Sequence, residues 1–397
     1  MPINNNTVNL YPFKLMRYFL TILLFSFFFT FEFTVNAQID TSLVIFSWKL
    51  DQYYIDKIPV EPDTNLTGFQ IDNPIYKNYI SVTTLGNLSS PSISNIFTDR
   101  NIKEDYTAAN VFYPFMKRIQ NTYYINTRKP FSKLTYYTGG GSYSKEETFD
   151  VFHSQNVNPL LNIGLHFTTQ GAAGQYRLQR TKNNSFRLFS NRNGRIYSYH
   201  LSFNVNHISA NENGGILNDT LVTDTVYSLT KYIPTLFGGI DQTNKNQPDV
   251  FHDIRNISFF TIQELALRKK KLKEDTTAAS TKKIRLFYPK LAYILNIDRT
   301  KVLFTDKNPS VGLNAGLYPD IYIDRSLTKD SLFYWKIQNT MRLQFQGRKN
   351  NHYFIDFSFE AMNYTQRVPS DTVVQYHFFY LDKSLPPVNR NAQLHNT

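Results

Sequence analysis

From Phe131 onward apolar and polar residues alternate with a period of two, the spacing that sends successive side chains to opposite faces of a β-strand. Within Arg195 to Ile208 one face carries Tyr197, Tyr199, Leu201, Phe203 and Val205, the other Ser198, His200, Ser202, Asn204 and Asn206. The split recurs with Leu161, Ile163, Leu165 and Phe167 against Asn162, Gly164, His166 and Thr168. It recurs with Phe333, Trp335, Ile337, Met341, Leu343 and Phe345 against Lys336, Gln338, Thr340, Arg342 and Gln344. A fourth case sets Tyr353, Ile355, Phe357, Phe359 and Ala361 against Asp356, Ser358 and Glu360. These runs last about 10 to 14 residues, whereas strands of soluble domains are mostly about 5 to 6 and a tilted strand crosses a bilayer in about 9 to 11. Weaker runs at 131–139, 146–154, 175–189, 256–267, 285–298 and 373–382 bring the expected total to about ten strands.

The connections sort by length. Short links are expected at Asn156–Asn158, Asn191–Gly194 and Gly347–Asn351, and long ones at Ser209–Arg255 and Arg299–Leu332. The long links follow odd strands and the short ones even strands, as a membrane barrel with short turns at one rim and long loops at the other requires. Gly140–Lys145 and Gly171–Gly174 are short links on the long side, which the rule permits. The basic link Arg268–Lys283 is too long for a turn and is the misfit. In residues 38–130 alternation is short and broken, at Leu43–Leu50 and Tyr76–Leu85. This segment reads as a periplasmic extension, a plug in the lumen or extra edge strands, and the pattern leaves all three open.

Upstream, Lys14 to Ala37 has the charged start, apolar stretch and Val35-Asn36-Ala37 cleavage site of a secretory signal peptide. Residues 1–37 are therefore expected to be removed, with 1–15 a spurious extension if Met16 is the true start. No later run reaches about 18 apolar residues, so any membrane is entered as strands.

Composition fits that picture. Aromatic residues make up 16% of the 397, with 33 Phe and 27 Tyr against 2 Trp, yet the mean hydropathy is −0.38. Strands that face lipid on one side and a wet lumen on the other average hydropathy away while keeping Phe and Tyr abundant. The absence of cysteine excludes a disulfide scaffold and thiolate-bound metals. At 41% hydrophobic and 19% charged, the chain is not of the disordered class. Phe112-Tyr113, Tyr136-Tyr137 and Phe378-Phe379-Tyr380 are expected at strand ends, as interfacial girdles; in a soluble sandwich they would be core.

No catalytic chemistry emerges. Thr138-Gly139-Gly140-Gly141-Ser142 lacks the Gly-Lys-Ser/Thr ending of a phosphate loop. His153, His166, His200 and His207 show no ligand spacing and read as hydrated lumen residues. Ser198, His200 and Ser202 share one strand face, about 7 Å apart in line, and no Gly-x-Ser-x-Gly elbow accompanies them. The tract Arg268 to Lys273 lacks the interleaved aromatics of a nucleic-acid site. No enzyme, cofactor, metal or nucleic acid is expected.

Several short motifs follow one another in a recognisable order: Leu85-Gly86-Asn87 with Ser90-Pro91, Asn126-Thr127-Arg128-Lys129-Pro130-Phe131, Leu134-Thr135-Tyr136, His153-Ser154-Gln155-Asn156, Gly174-Gln175-Tyr176 and Asn213-Gly214-Gly215-Ile216. In this order the chain resembles the β-barrel porins of Bacteroidota outer membranes, well over residues 40–217 and by strand pattern beyond. The resemblance implies an outer-membrane barrel that conducts small solutes, and brings no catalytic residues. Such barrels are usually longer and end in an aromatic-terminated strand, whereas this chain ends in the polar stretch Pro386 to Thr397. The expectation is a truncated chain; the alternative is a barrel that closes without that signal.

The sequence is thus read as all-β: an antiparallel transmembrane barrel over 131–397, preceded by mixed short strands and loops. The expected function is an outer-membrane porin for passive diffusion of small polar solutes. The expected lining is Asn162, His166, Ser198, His200, Ser202, Asn204, Lys336, Gln338, Arg342, Asp356 and Glu360. Expected partners are outer-membrane lipid, the solutes and the barrel-assembly machinery. The net charge of +12, lowered by one if the leader is removed, would favour anions if the excess faced the pore. Two other readings stay open, a non-conducting barrel whose long loops dock a partner and a secreted soluble β-sandwich that binds a ligand.

Overall fold

The computed structural model describes residues 45–62, 73–100, 107–141, 144–224, 226–227, 229–237, 250–267, 288–318, 320, 326–346, 352–367 and 373–383. The expected leader, the basic link Arg268–Lys283 and the tail Pro386–Thr397 lie outside the described residues. The N-terminal part contributes β1 (Ile45–Leu50), β2 (Lys57–Pro59), α1 (Pro74–Asn78), β3 (Val82–Thr84), β4 (Ser92–Ser94), a 3₁₀ segment at Thr107–Phe115 and β5 (Tyr124–Thr127). The remainder contributes β6 (Phe131–Gly139), β7 (Glu146–Asn158), β8 (Leu161–Ala172), β9 (Thr181–Asn193) and β10 (Tyr197–Glu212). It continues with β11 (Val250–Ala266), β12 (Tyr288–Asp306), α2 (Pro309–Asn314), β13 (Thr328–Gln346), β14 (His352–Arg367) and β15 (Val373–Lys383). No helix among the described residues is long and apolar enough to cross a membrane.

Strands β6 to β15 form one ten-stranded sheet in which each strand pairs with the next, antiparallel throughout. This is the simplest up-and-down topology. The sheet is open among the described residues, with β6 and β15 as its edges.

The strands run further than the alternation foretells, to 19 residues in β12 and β13. Alternation marks only the stretch with contrasting faces, and the hydrogen-bonded ladder continues past it: Asp306 still pairs with Thr328. The long links consequently shrink to 213–249 and 307–327. Two boundaries are corrected. Residues 175–180, read as the start of a strand, are a link in which Leu178 has φ 54. The stretch Asn156–Asn158 is still strand, bulged between Asn156 and Asn158. The turn is Pro159-Leu160, where Asn158 Oδ1 accepts from the amides of Leu160 and Leu161, each at 2.9 Å. By strand order, 159–160, 194–196, 267–287 and 347–351 fall at one rim and the other links at the opposite one, and 267–287 remains the misfit, too long for the short-turn rim.

Pairing register places all the polar faces on one side of this wall. His200 lies beside Ile262, Arg342 beside Asp356 and Gln338 beside Glu360. That polar face is covered, with Ser202 and Asn204 at 0% exposure. The apolar face is bare: Leu134 is 69%, Phe357 63% and Met341 56% exposed. Burial is thus the reverse of that in a soluble β protein, where the apolar face goes inside.

The cover is the N-terminal segment, 45–127. Its strands form a β2-β1-β5 sheet and a β3-β4 pair, and none joins the wall. Its apolar residues Ile75, Leu88, Ala109, Phe112, Phe115 and Met116 pack with Ala172, Ile208, Ala210, Ile254, Val302 and Tyr334 of the wall. Phe112, expected in an interfacial girdle, is instead core, in the 3₁₀ segment. Tyr136, on the outer face of β6, is 58% exposed, and the side chains of Phe378 to Tyr380 lie outside the described residues.

Apolar residues interrupt the polar face at mid-wall, among them Phe189, Phe260, Ile262 and Ile294. Phe189 of β9 lies beside Gly164 of β8, and a Cβ on Gly164 would meet the Phe189 ring at 2.2 Å. The missing side chain makes room for the ring, which packs with Trp48 and Tyr124 of the segment.

Candidate functional site, the polar wall face and its cover

The segment touches consecutive wall strands from β7 to β14. The Thr127 amide donates to Asn156 Oδ1 at 3.3 Å, and Lys117 Nζ to Thr168 Oγ1 at 2.6 Å. Trp48 Nε1 donates to His200 Nε2 at 3.2 Å. Tyr54 packs on Phe260 with ring centroids 4.7 Å apart, and Ile119 lies against the cluster that holds Ile294. Arg342 Nη1 donates to the Tyr53 carbonyl, and the Tyr53 ring lies 5.8 Å from that of Phe354.

Arg187, on β9, is the strongest link. Nε donates to Asn204 Oδ1 at 2.7 Å, Nη1 to the Asn121 carbonyl at 2.8 Å, and Nη2 to the Arg118 carbonyl and Asn121 Oδ1 at 2.7 and 2.5 Å. Arg187 is 3% exposed. Carbonyl dipoles satisfy its donors, which a buried charge requires. Nearby, Asn206 clasps the backbone of Lys117 from both sides, accepting from its amide at 2.8 Å and donating to its carbonyl at 3.0 Å. Burial, aided by the Arg187 charge, lowers the Lys117 ammonium to about 7, while Asp150 opposes the shift.

All eleven expected lining residues sit on this covered face, in two settings. Asn162, His166, Ser198, His200, Ser202 and Asn204 lie on β8 and β10. Of these, His200 is packed under Trp48 and Tyr124 and His166 Nε2 lies 2.8 Å from Asp150 Oδ2. The expectation of hydrated lumen histidines is therefore corrected for these two, and also for His153 and His207, which lie on the outer face beside Leu165 and Arg255. The charged candidates pair with each other. Arg342 grips Asp356 in a two-pronged bond, 2.7 Å at each prong, and Lys336 lies 3.0 Å from Glu360.

Two spaces between cover and wall are outlined by the described residues. One of about 480 Å³ runs along β6 to β9, past Lys133, Asp150 and His166. The other, of about 600 Å³, lies against β11 to β13. Its floor is a grid fixed by register, in which Ser258, Asp298 and Lys336 are neighbours across three strands. Asn256, Thr300 and Tyr334 form the next row, and Phe260, Asn296 and Gln338 the third. Lys49, Asp51, Tyr54, Tyr113 and Arg118 of the segment form the roof. Sequence reasoning named Lys336 and Gln338 but missed the β11 and β12 members, because the alternation of those strands is weaker.

Among the described residues no group of three or more His, Asp or Glu side chains converges as a metal site would. No curated protein matches the chain, and neither does any solved structure. A polar face lined through eight strands, covered from within the chain and backed by bare apolar residues, accords with what a family comparison finds. The model of the family described as "Putative porin" matches residues 44–396, and the chain belongs to that family.

Proposed function

We propose that the protein is an outer-membrane porin, without enzymatic activity, through which small polar solutes diffuse passively between the wall and residues 45–127. Reversed burial carries this reading: an apolar face as bare as that around Phe357 is stable against lipid and a liability in water. It also disfavours a soluble sandwich, which would bury that face against a second sheet. The segment acts as a plug that narrows the lumen to the two spaces. The wall cations Arg342 and Lys336 are held by Asp356 and Glu360, which supports weak charge selectivity rather than the anion preference suggested by net charge.

Purified protein in planar bilayers is expected to give discrete conductance steps with a reversal potential close to zero in a salt gradient. A folded, heat-modifiable barrel without conductance would replace this reading with the partner-docking one. Extraction into buffer without detergent would sink both.

A further inference from the structure

We propose that the cavity over β11 to β13 is a binding subsite for a neutral polyhydroxylated solute, a sugar of one or two rings. This rests on the porin reading in that the cavity then lies on the permeation path. The volume of about 600 Å³ falls in the range of about 300 to 1,000 Å³ typical of small-molecule sites. With strands about 4.8 Å apart and same-face residues about 7 Å apart along each, the floor measures about 10 by 14 Å. A sugar of one or two rings fits within that floor.

The chemistry of the floor is amphipathic in the same way as a sugar. Phe260 and Tyr334 stand at opposite corners of the grid, and Tyr54 hangs above Phe260. Phe260 is 0% exposed beneath Tyr54, so the Tyr54 ring is the apolar surface left to the C–H face of a pyranose. Between Phe260 and Tyr334 lie the carboxamides of Asn256, Asn296 and Gln338, which both donate to and accept from hydroxyls, and the carboxylate of Asp298, which accepts. Asp298 is already oriented: Oδ1 accepts from Asn256 Nδ2 at 2.9 Å and from Thr300 Oγ1 at 3.0 Å. Asn296 Oδ1 is buried and accepts no hydrogen bond from any described residue, an acceptor left for a guest to satisfy.

Charge argues against an ionic guest. Lys49, Arg118 and Lys336 at the cavity are matched by Asp51, Asp298 and the Glu360 that holds Lys336. Arg118 and Lys49 are further occupied by the faces of Tyr113 and Tyr123, at 3.9 and 4.5 Å. A phosphate or polycarboxylate would find no excess of cations to displace its water.

The test is single-channel recording on the full chain with maltose, citrate or a polyethylene glycol of equal mass. Maltose is expected to reduce the current saturably, with the other two weaker. Asp298→Asn and Asn296→Leu should each raise the half-blocking concentration about 10-fold, with Asn296→Ser as the milder variant. Heat-modifiable gel migration verifies that each variant folds. Equal or stronger block by citrate or the glycol, or no block by maltose, overturns the proposal. If no current flows at all, the porin reading fails and titration calorimetry of maltose into detergent-solubilised protein decides. Saturable heat lost in Asp298→Asn then upholds the subsite, and its absence ends it.

Discussion

Arg187 and Asn121 meet through two hydrogen bonds, Nη1 to the Asn121 carbonyl at 2.8 Å and Nη2 to Oδ1 at 2.5 Å. One residue belongs to a wall strand and the other to the covering segment 45–127, the proposed plug. The pair fastens the two bodies at a point that solvent does not reach. Replacing Arg187 by Met would strand the Asn121 carbonyl and Asn204 Oδ1, whereas the Arg118 carbonyl and Asn121 Oδ1 keep donors within the segment, at a cost of about 3 kcal/mol. Faster hydrogen exchange and trypsin cleavage across residues 107–127 are expected, with the wall still folded. Unchanged protection would mean that apolar packing alone retains the plug.

Lys117 makes plug docking depend on pH. Its ammonium titrates at about 7 when buried and at 10.5 when free, so between those values the undocked form binds more protons. Docking therefore strengthens as pH rises from about 7 to about 10.5, by up to about 1.4 kcal/mol per unit. Below about 7 this residue contributes a constant penalty. Exchange rates of plug amides measured across that range should show the slope, and Lys117→Met should flatten it.

The outer face permits a sharper test of the membrane reading. Phe203 points outward from the middle of β10, beside Phe259 of β11. Phe203→Arg should cost about 2 to 4 kcal/mol in lipid if it lies near the midplane. Urea titrations of folding into phosphatidylcholine vesicles would measure this. A loss below about 0.5 kcal/mol, typical of a water-exposed site, would contradict a lipid-facing position.

Arg342 and Asp356 are both nearly buried and grip each other at 2.7 Å. Asp356→Ala leaves the guanidinium without its partner and should destabilise by about 3 to 5 kcal/mol, whereas Arg342→Met with Asp356→Leu should recover most of that loss. Thermal unfolding followed by gel migration supplies the double-mutant cycle. Additive losses would show that the two side chains act independently.

Much of the wall was legible, since strict alternation over Tyr197 to Asn206 needs only one face in lipid and one inside. The plug was not, because its elements are short and gain their stability from the wall. Strand β2 has three residues, too few to show a period. A signal of the cover did exist. At Ile208 and Ala210 the inner face of β10 turns apolar, while His207 beside them faces out and lies 2.6 Å from Asp253. A water-filled lumen has no use for that inversion; a plug core seated at one rim does.

The two tryptophans stand on opposite sides of the wall. Trp48, in the plug, contacts His200, which is 152 residues further along the chain, so its surroundings are complete only after β10 is in place. Trp335 alternates outward with Phe333 and Ile337 of β13 and, in the proposed membrane setting, meets lipid as that strand inserts. During refolding into vesicles the two fluorophores thus keep separate time. Trp48→Phe leaves a signal for insertion, Trp335→Phe a signal for closure of the lumen, and the delay between them measures how long an assembled wall stays unplugged.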